Sequence, residues 1–83
     1  MKSYNVKLKD NALGAKIGDY IFDAANLKTG IVVKLDQEGN YDIIYVKFPN
    51  GFNNIEKRIN TMYDALTCGR FHIIEREVYK EDE

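Results

Sequence analysis

In "CGRFH" a cysteine and a histidine, Cys68 and His72, stand four residues apart, the pair of types in this chain best suited to nucleophilic chemistry. A thiolate activated by an imidazole needs an orienting third group and an enclosed pocket, and a chain of 83 residues has little room for a pocket beside its core. The pair therefore reads as a small, half-buried cysteine before a turn and a strand histidine on an outer face. As metal ligands the two lack companions at suitable spacing. "DQEGNYD" has acidic flanks but neither the alternating carboxylates nor the closing glutamate of a calcium loop. Each glycine sits at a turn that the strand pattern already requires, so no phosphate loop emerges. The expectation is a protein that is not an enzyme and carries no cofactor or metal.

The outer face of "YDIIYVKF" offers a different chemistry, that of recognition. Alternation sets Ile44, Val46 and Phe48 toward a core, and Tyr41, Ile43, Tyr45 and Lys47 away from it. Two aromatics and an aliphatic side chain turned outward make a patch that a monomer seldom exposes without use. Two covers would remove it from solvent: the N-terminal segment, through Val6, Leu8 or Leu13, or a second subunit. Left open, and with Tyr20 and Arg58 beside it, the patch can stack on bases or contact a protein. The candidate binding residues are Tyr20, Tyr41, Ile43, Tyr45, Lys47 and Arg58.

The elements that position these residues are short strands. "YNVKLKD" alternates and fits an edge strand with its lysines in solvent, so residues 1–16 are either an N-terminal extension or that strand. Tyr20 to Phe22 follow the turn pair Gly18-Asp19, and "TGIVVKLD" is a β-branched run entered through Gly30. "QEGN" turns the chain into "YDIIYVKF", and "PNGF", with Pro49 and Asn50-Gly51, turns it into "NIEKRIN". These four strands make a meander. In "NTMYDALTCG", Asn60 or Thr61 caps one or two helical turns, with Met62, Ala65 and Leu66 at i, i+3, i+4 spacing and Gly69 as the stop. "RFHIIE" is a fifth strand, placed to close the sheet upon the first.

This plan is all-β: a five-stranded SH3-like small barrel with a short helical turn before the last strand. "IGDYIF", a variable loop, "TGIVVKL" and then "YVKF" with a glycine turn resemble the Tudor and KOW group of SH3-like barrels. In that group a Gly-Asp pair leads into the first strand and a second glycine opens the next. Residues 17–51 are similar, more narrowly, to small barrel proteins of phages and prophages. The loop "DAANLKT" departs from the phage pattern by lacking its second glycine and aromatic, and the region after Asn60 follows the pattern loosely. Variable loops carry binding surfaces, and the shared motifs specify fold better than function.

Composition narrows the function classes. A chain of 83 residues encloses one core, so residues 1–83 form one domain. Ten aromatics and an apolar share of 45% fill that core without disulfides. One cysteine and the absence of a secretory signal pattern point to the cytoplasm, the host cytoplasm for a phage protein. Apolar runs fall far short of the roughly 20 residues that span a bilayer, so no membrane role is expected.

The net charge of −1 hides an asymmetry: residues 1–35 carry +3 and residues 36–83 carry −4, much of it in the acidic tail at 77–83. Such a tail reads first as a solvated terminus. The first functional expectation is a module that binds and modulates a host protein. The alternatives are a nucleic-acid-binding barrel using Lys28, Lys34, Lys47, Lys57 and Arg58, or a structural barrel that builds a homo-oligomer. Nucleic acid is disfavoured because phosphate neutralisation supplies most non-specific affinity and the chain has no positive excess.

Overall fold

A computed structural model describes residues 2–80 of the chain. Six strands, β1 (Lys2–Leu8), β2 (Tyr20–Asp23), β3 (Lys28–Glu38), β4 (Tyr41–Asn50), β5 (Asn53–Asn60) and β6 (Phe71–Lys80), form one antiparallel open sheet. Their order is β1-β6-β2-β3-β4-β5. The five strands expected from the sequence are β2 to β6. The sixth is the N-terminal segment, which pairs along the free side of β6 from Lys2 opposite Lys80 to Leu8 opposite Ile74. The last strand also meets β2, with Ile21 opposite Ile73 and Asp23 opposite Phe71. Of the acidic tail, residues 77–80 belong to β6 and residues 81–83 lie outside the described residues. Among the described residues no helix is long and apolar enough to cross a membrane.

Alternation decides what is buried. Ile44, Val46 and Phe48 of β4 join Ile21, Val32, Ile59, Phe71 and Ile73 in one core cluster. A sheet with no second sheet against it needs covers, and two small-residue segments supply them. Ala12 and Ala15 lie in the connection from β1 to β2, and Ala65 lies in the helical turn; all three are buried. The connection is tied down by backbone bonds from Lys9 N to Ile73 O and from Gly18 N to Val32 O. Small side chains there let the backbone approach the core closely.

The helical turn, Thr61–Thr67, is wound in the wide π manner and capped by Asn60, whose side-chain oxygen accepts from the amides of Met62 and Tyr63. Asp64 returns the favour by accepting from the Asn60 amide. Winding wider than an α-helix takes Met62 and Leu66 off the line of Ala65; both are exposed, whereas spacing alone put all three on one apolar face. Asn60→Ala removes the acceptor for two amides and is expected to lower stability by about 1 kcal/mol, read as a fall in the urea unfolding midpoint. An unchanged midpoint would show that the cap is dispensable.

Two turns differ in detail from expectation. In the β4–β5 hairpin, Asn50 pairs with Asn53, so Gly51 and Phe52 occupy the turn. Gly51 has φ 61° and Phe52 has a negative φ, as a II′ turn requires. Asn50-Gly51 is thus one residue out of register with the expected turn dipeptide, and Pro49 is in the strand. Its missing N–H is tolerated because the β3 ladder ends at Ile31 opposite Lys47. Gly30, expected to begin its strand from a strained turn, lies inside β3 and faces the backbone of β4 at very short range.

Candidate binding surface

The register lays the expected residues out in rows across the outer face of β2 to β5. Tyr20, Ile31, Lys47 and Glu56 form one row; Lys34, Tyr45 and Arg58 the next; Asp36, Ile43 and Asn60 the third. Glu38 opposite Tyr41 ends the face. A bulge between Val32 and Lys34 shifts the register within β3 and keeps both Ile31 and Lys34 on this side.

Half of the face is already satisfied from within. The Tyr41 ring packs on Tyr63 of the helical turn at 4.9 Å between centroids, and the two hydroxyls share a hydrogen bond of 2.8 Å. That bond raises the Tyr41 pKa above its ordinary 10.0, with the neighbouring Tyr63 charge adding to the effect. Ile43 retains only 1% of its exposure. It shares a cleft of 190 Å³ with Gly14 and Ala15, Thr61, and the carboxylates of Asp36 and Asp42. The N-terminal connection and the helical turn therefore border Ile43, which is buried and presents no surface to a ligand. Tyr45 is half-buried under the Lys34 ammonium, 5.1 Å from its ring centre. Arg58 is paired with Glu38.

The other half is open. Tyr20 is 47% exposed, and with Ile31, Lys47, Thr29, Pro49 and Asn54 it lines a groove of 280 Å³. On the other side of the sheet, past Pro49 and over the inward-facing Phe48, lies a second cleft, of 210 Å³, between the β2–β3 loop and the β4–β5 hairpin; Asp23, Asn26, Lys28, Ile55 and Lys57 border it. Phe52 is fully exposed at the hairpin tip, and Leu27, with φ 54°, is largely exposed at the loop tip. Of the residues expected at the site, the structure gathers Tyr20 and Lys47 in the groove and holds Tyr41, Ile43, Tyr45 and Arg58 in internal contacts. Ile31 and Pro49 in that groove were not anticipated, nor was the exposure of Phe52 and Ile55. An aromatic side chain in a turn position is the signal that marks Phe52.

The loop beside the second cleft is fastened by Asp23. Its carboxylate, 3% exposed, takes two hydrogen bonds from the Arg70 guanidinium, at 2.8 and 3.0 Å. It also accepts from the Ala25 amide and the Asn26 side chain. The Arg70 bond, more than any other contact, lowers the Asp23 pKa from 3.8 to about 2.

No family model, curated protein or solved structure matches the chain. Function is therefore read from the surface itself.

Cys68 is exposed, at the C-terminal cap of the helical turn. His72 does not face it with a free nitrogen: Nδ1 lies 2.9 Å from the Lys9 carbonyl oxygen and Nε2 lies 3.0 Å from that of Gly69. A neutral ring donates to one of these, and an imidazolium to both. The histidine links the end of β1, the end of the helical turn and β6.

Proposed function

We propose that the chain is a non-catalytic binding module on an SH3-like small barrel of the Tudor and KOW type. In this reading it is a small phage- or prophage-type protein that binds a host protein in the host cytoplasm and modulates it. The barrel form is supported by a meander β2-β3-β4-β5 whose first strand pairs with the last, β6, and by the helical turn that precedes β6. The bulge after Val32 bends the longest strand, as closing such a sheet requires.

The functional reading rests on one observation: the groove of Tyr20, Ile31 and Lys47 stays open while Tyr41, Ile43, Tyr45 and Arg58 of the same face are engaged by the molecule's own side chains. An exposed aromatic beside an aliphatic residue and a flexible cation is the composition of a protein-contact anchor. Lys47 in the groove, with Lys28, Lys34, Lys57 and Arg58 elsewhere on these strands, supports the second reading, nucleic acid. Salt separates the two. Contacts with several phosphates make affinity fall by about 10³ or more between about 50 and 200 mM salt, whereas an interface anchored by apolar burial moves far less.

The test immobilises the folded chain and its Tyr20→Ala/Lys47→Ala variant on separate resins over bacterial lysate, with labelled oligothymidylate titrated in parallel at the two salt concentrations. A stoichiometric protein retained by the native chain and lost by the variant is the expected result. No retained protein, together with steeply salt-dependent oligothymidylate binding, overturns the protein-binding reading in favour of nucleic acid.

A further inference from the structure

The sheet ends at β5, which is bonded to β4 on one side and, among the described strands, to none on the other. Its ladder with β4 runs from Asn50 opposite Asn53 to Ile43 opposite Asn60 without a bulge. In a two-residue hairpin the closing pair exchanges both backbone bonds, and bonded pairs then recur at every second residue. Asn53, Ile55, Lys57 and Ile59 therefore turn their amides to β4, and Asn54, Glu56, Arg58 and Asn60 turn theirs to the free edge. The outward amide of Asn60 donates to the Asp64 carboxylate at 2.8 Å. Those of Asn54, Glu56 and Arg58 have no acceptor among the described residues, and all three residues are exposed. An edge of this kind is ordinarily blunted by a bulge, a proline, a cover or charge. From Asn53 to Arg58 neither bulge nor proline interrupts β5, and the helical turn caps it only at Asn60. What remains is charge of both signs, on Glu56, Lys57 and Arg58, which excludes some pairings and permits others.

We propose that β5 pairs antiparallel with β5 of a second copy of this chain, about a two-fold axis at Ile55, joining the two sheets into one. In that register Asn54 stands opposite Glu56 of the second copy, and the two exchange their free amides and carbonyls. The half-exposed Ile55 meets its own counterpart, and because Phe48 lies opposite Ile55 within each copy, the inner face gains one unbroken apolar row. On the outer face the Asn54 side chain meets the Glu56 carboxylate of the second copy, and the exposed Phe52 ring comes beside Arg58 of the second copy. The neighbouring registers are poorer. Centring on Glu56 sets that carboxylate against itself, and centring on Lys57 sets ammonium against ammonium and runs the second copy past Asn60 into the helical turn. Centring on Asn54 engages only the hairpin end. About Ile55 the second copy's turn, Gly51-Phe52, falls level with Ile59 and Arg58 and stops short of the helical turn. A seam of one short strand buries less than a permanent dimer needs, so the association is weak and depends on concentration. The axis stands perpendicular to the sheet, which leaves both grooves on one face, each with Glu56 of the other copy beside the Asn54 of its wall.

Sedimentation equilibrium of the full chain from about 10 μM to about 1 mM reads the pairing, and a monomer–dimer equilibrium within that range is the expected result. Glu56→Pro removes an edge amide that β4 does not use, so the fold should survive while dimerisation weakens about tenfold or more. Ile55→Lys sets like charges across the axis and should weaken it similarly, with the urea midpoint of each variant measured alongside. Register is read by cross-linking in a Cys68→Ser background, because the native cysteine is exposed. A non-bonded antiparallel pair brings α-carbons to about 4.5 Å, within disulfide reach. Air oxidation of Ile55→Cys should therefore link two chains, and that of Lys57→Cys should not. If Glu56→Pro does not fold, Ile55→Lys and the cross-linking pair decide. A chain that stays monomeric at about 1 mM, a dimer that neither folded variant weakens, or a link through Lys57→Cys but not Ile55→Cys overturns the proposal. A dimer weakened by Ile55→Lys but not by a folded Glu56→Pro overturns strand pairing as its basis.

Discussion

Asp23→Asn is expected to cost the fold about 3 kcal/mol, the low end of what breaking a buried ion pair costs, and to lower the melting temperature by roughly 12 °C or more. The carboxylate is buried and engages four donors, two of them on Arg70, 47 residues further along the chain. Those bonds fasten the β2–β3 loop to the start of β6, where the Ala24 amide also donates to the Arg70 carbonyl. An amide at position 23 keeps the shape but leaves the guanidinium without its countercharge. The value sits at the low end because the Arg70 side chain is about a third exposed and water compensates part of its loss.

The same pair sets an acid dependence. The Asp23 carboxyl has its pKa lowered from 3.8 to about 2 by Arg70. Its contribution is therefore complete above the unfolded value and disappears as pH falls through the folded one. The shift corresponds to about 2 kcal/mol. Urea unfolding followed from neutral pH to about pH 2 should show the native chain losing that much more stability than Asp23→Asn across the acid window. Equal slopes for the two proteins, or a loss below 1 kcal/mol at neutral pH, would remove the pair from the account of stability.

Gly30→Ala carries the other large effect. A β-carbon there would lie 2.5 Å from the Lys47 carbonyl oxygen, 2.7 Å from a Val46 methyl and 2.8 Å from the Phe48 ring. The closest of these atoms is backbone in the neighbouring strand, so relief requires β3 and β4 to separate. Overpacking a core costs about 1–3 kcal/mol and occasionally more, and the upper end applies because the obstacle cannot rotate away. The loss of unfolded-state freedom returns less than about 1 kcal/mol. Gly51→Ala is the control: its β-carbon meets nothing within 4 Å, and its cost comes only from a φ of 61°. Circular dichroism melts should find Gly51→Ala folded and modestly weakened, and Gly30→Ala severely destabilised or insoluble. A Gly30→Ala melt within about 1 kcal/mol of the native chain would mean that the strands yield more readily than their spacing implies.

These two positions also mark where the sequence was legible and where it was not. Strand alternation is a local signal, and it correctly turned Ile44, Val46 and Phe48 inward; capping chemistry offered Asn60 or Thr61 at the head of the helical turn, and Asn60 is the cap. The need for glycine at 30 was visible, but its cause was not, because close approach depends on a strand 17 residues away. Asp23 and Arg70 are each unremarkable in their own segments, and only the pairing of β2 with β6 brings them together. The candidate surface divided in the same way. Alternation put Tyr41, Ile43 and Tyr45 on the outer face, but it carried no information on what else would reach that face. Tyr63 came from the helical turn, Gly14 and Ala15 from the N-terminal connection, and Lys34 from β3. Tyr20 and Lys47 remained because none of the described elements packs over their end of the sheet.

The placement of charge has a consequence for how the molecule meets others. Asp36, Glu38 and Asp42 cluster at the β3–β4 hairpin, while Lys28, Lys47 and Lys57 gather near the β2–β3 loop and the β4–β5 hairpin, the opposite end of the same strands. The formal charge of −1 therefore says little about the local field at either end of these strands. A nearly neutral molecule has little overall attraction for a charged body, and the placement of its charges decides which part of its surface a charged neighbour meets. At the end of the sheet away from the β3–β4 hairpin, that part is the open groove with Lys47 on its wall.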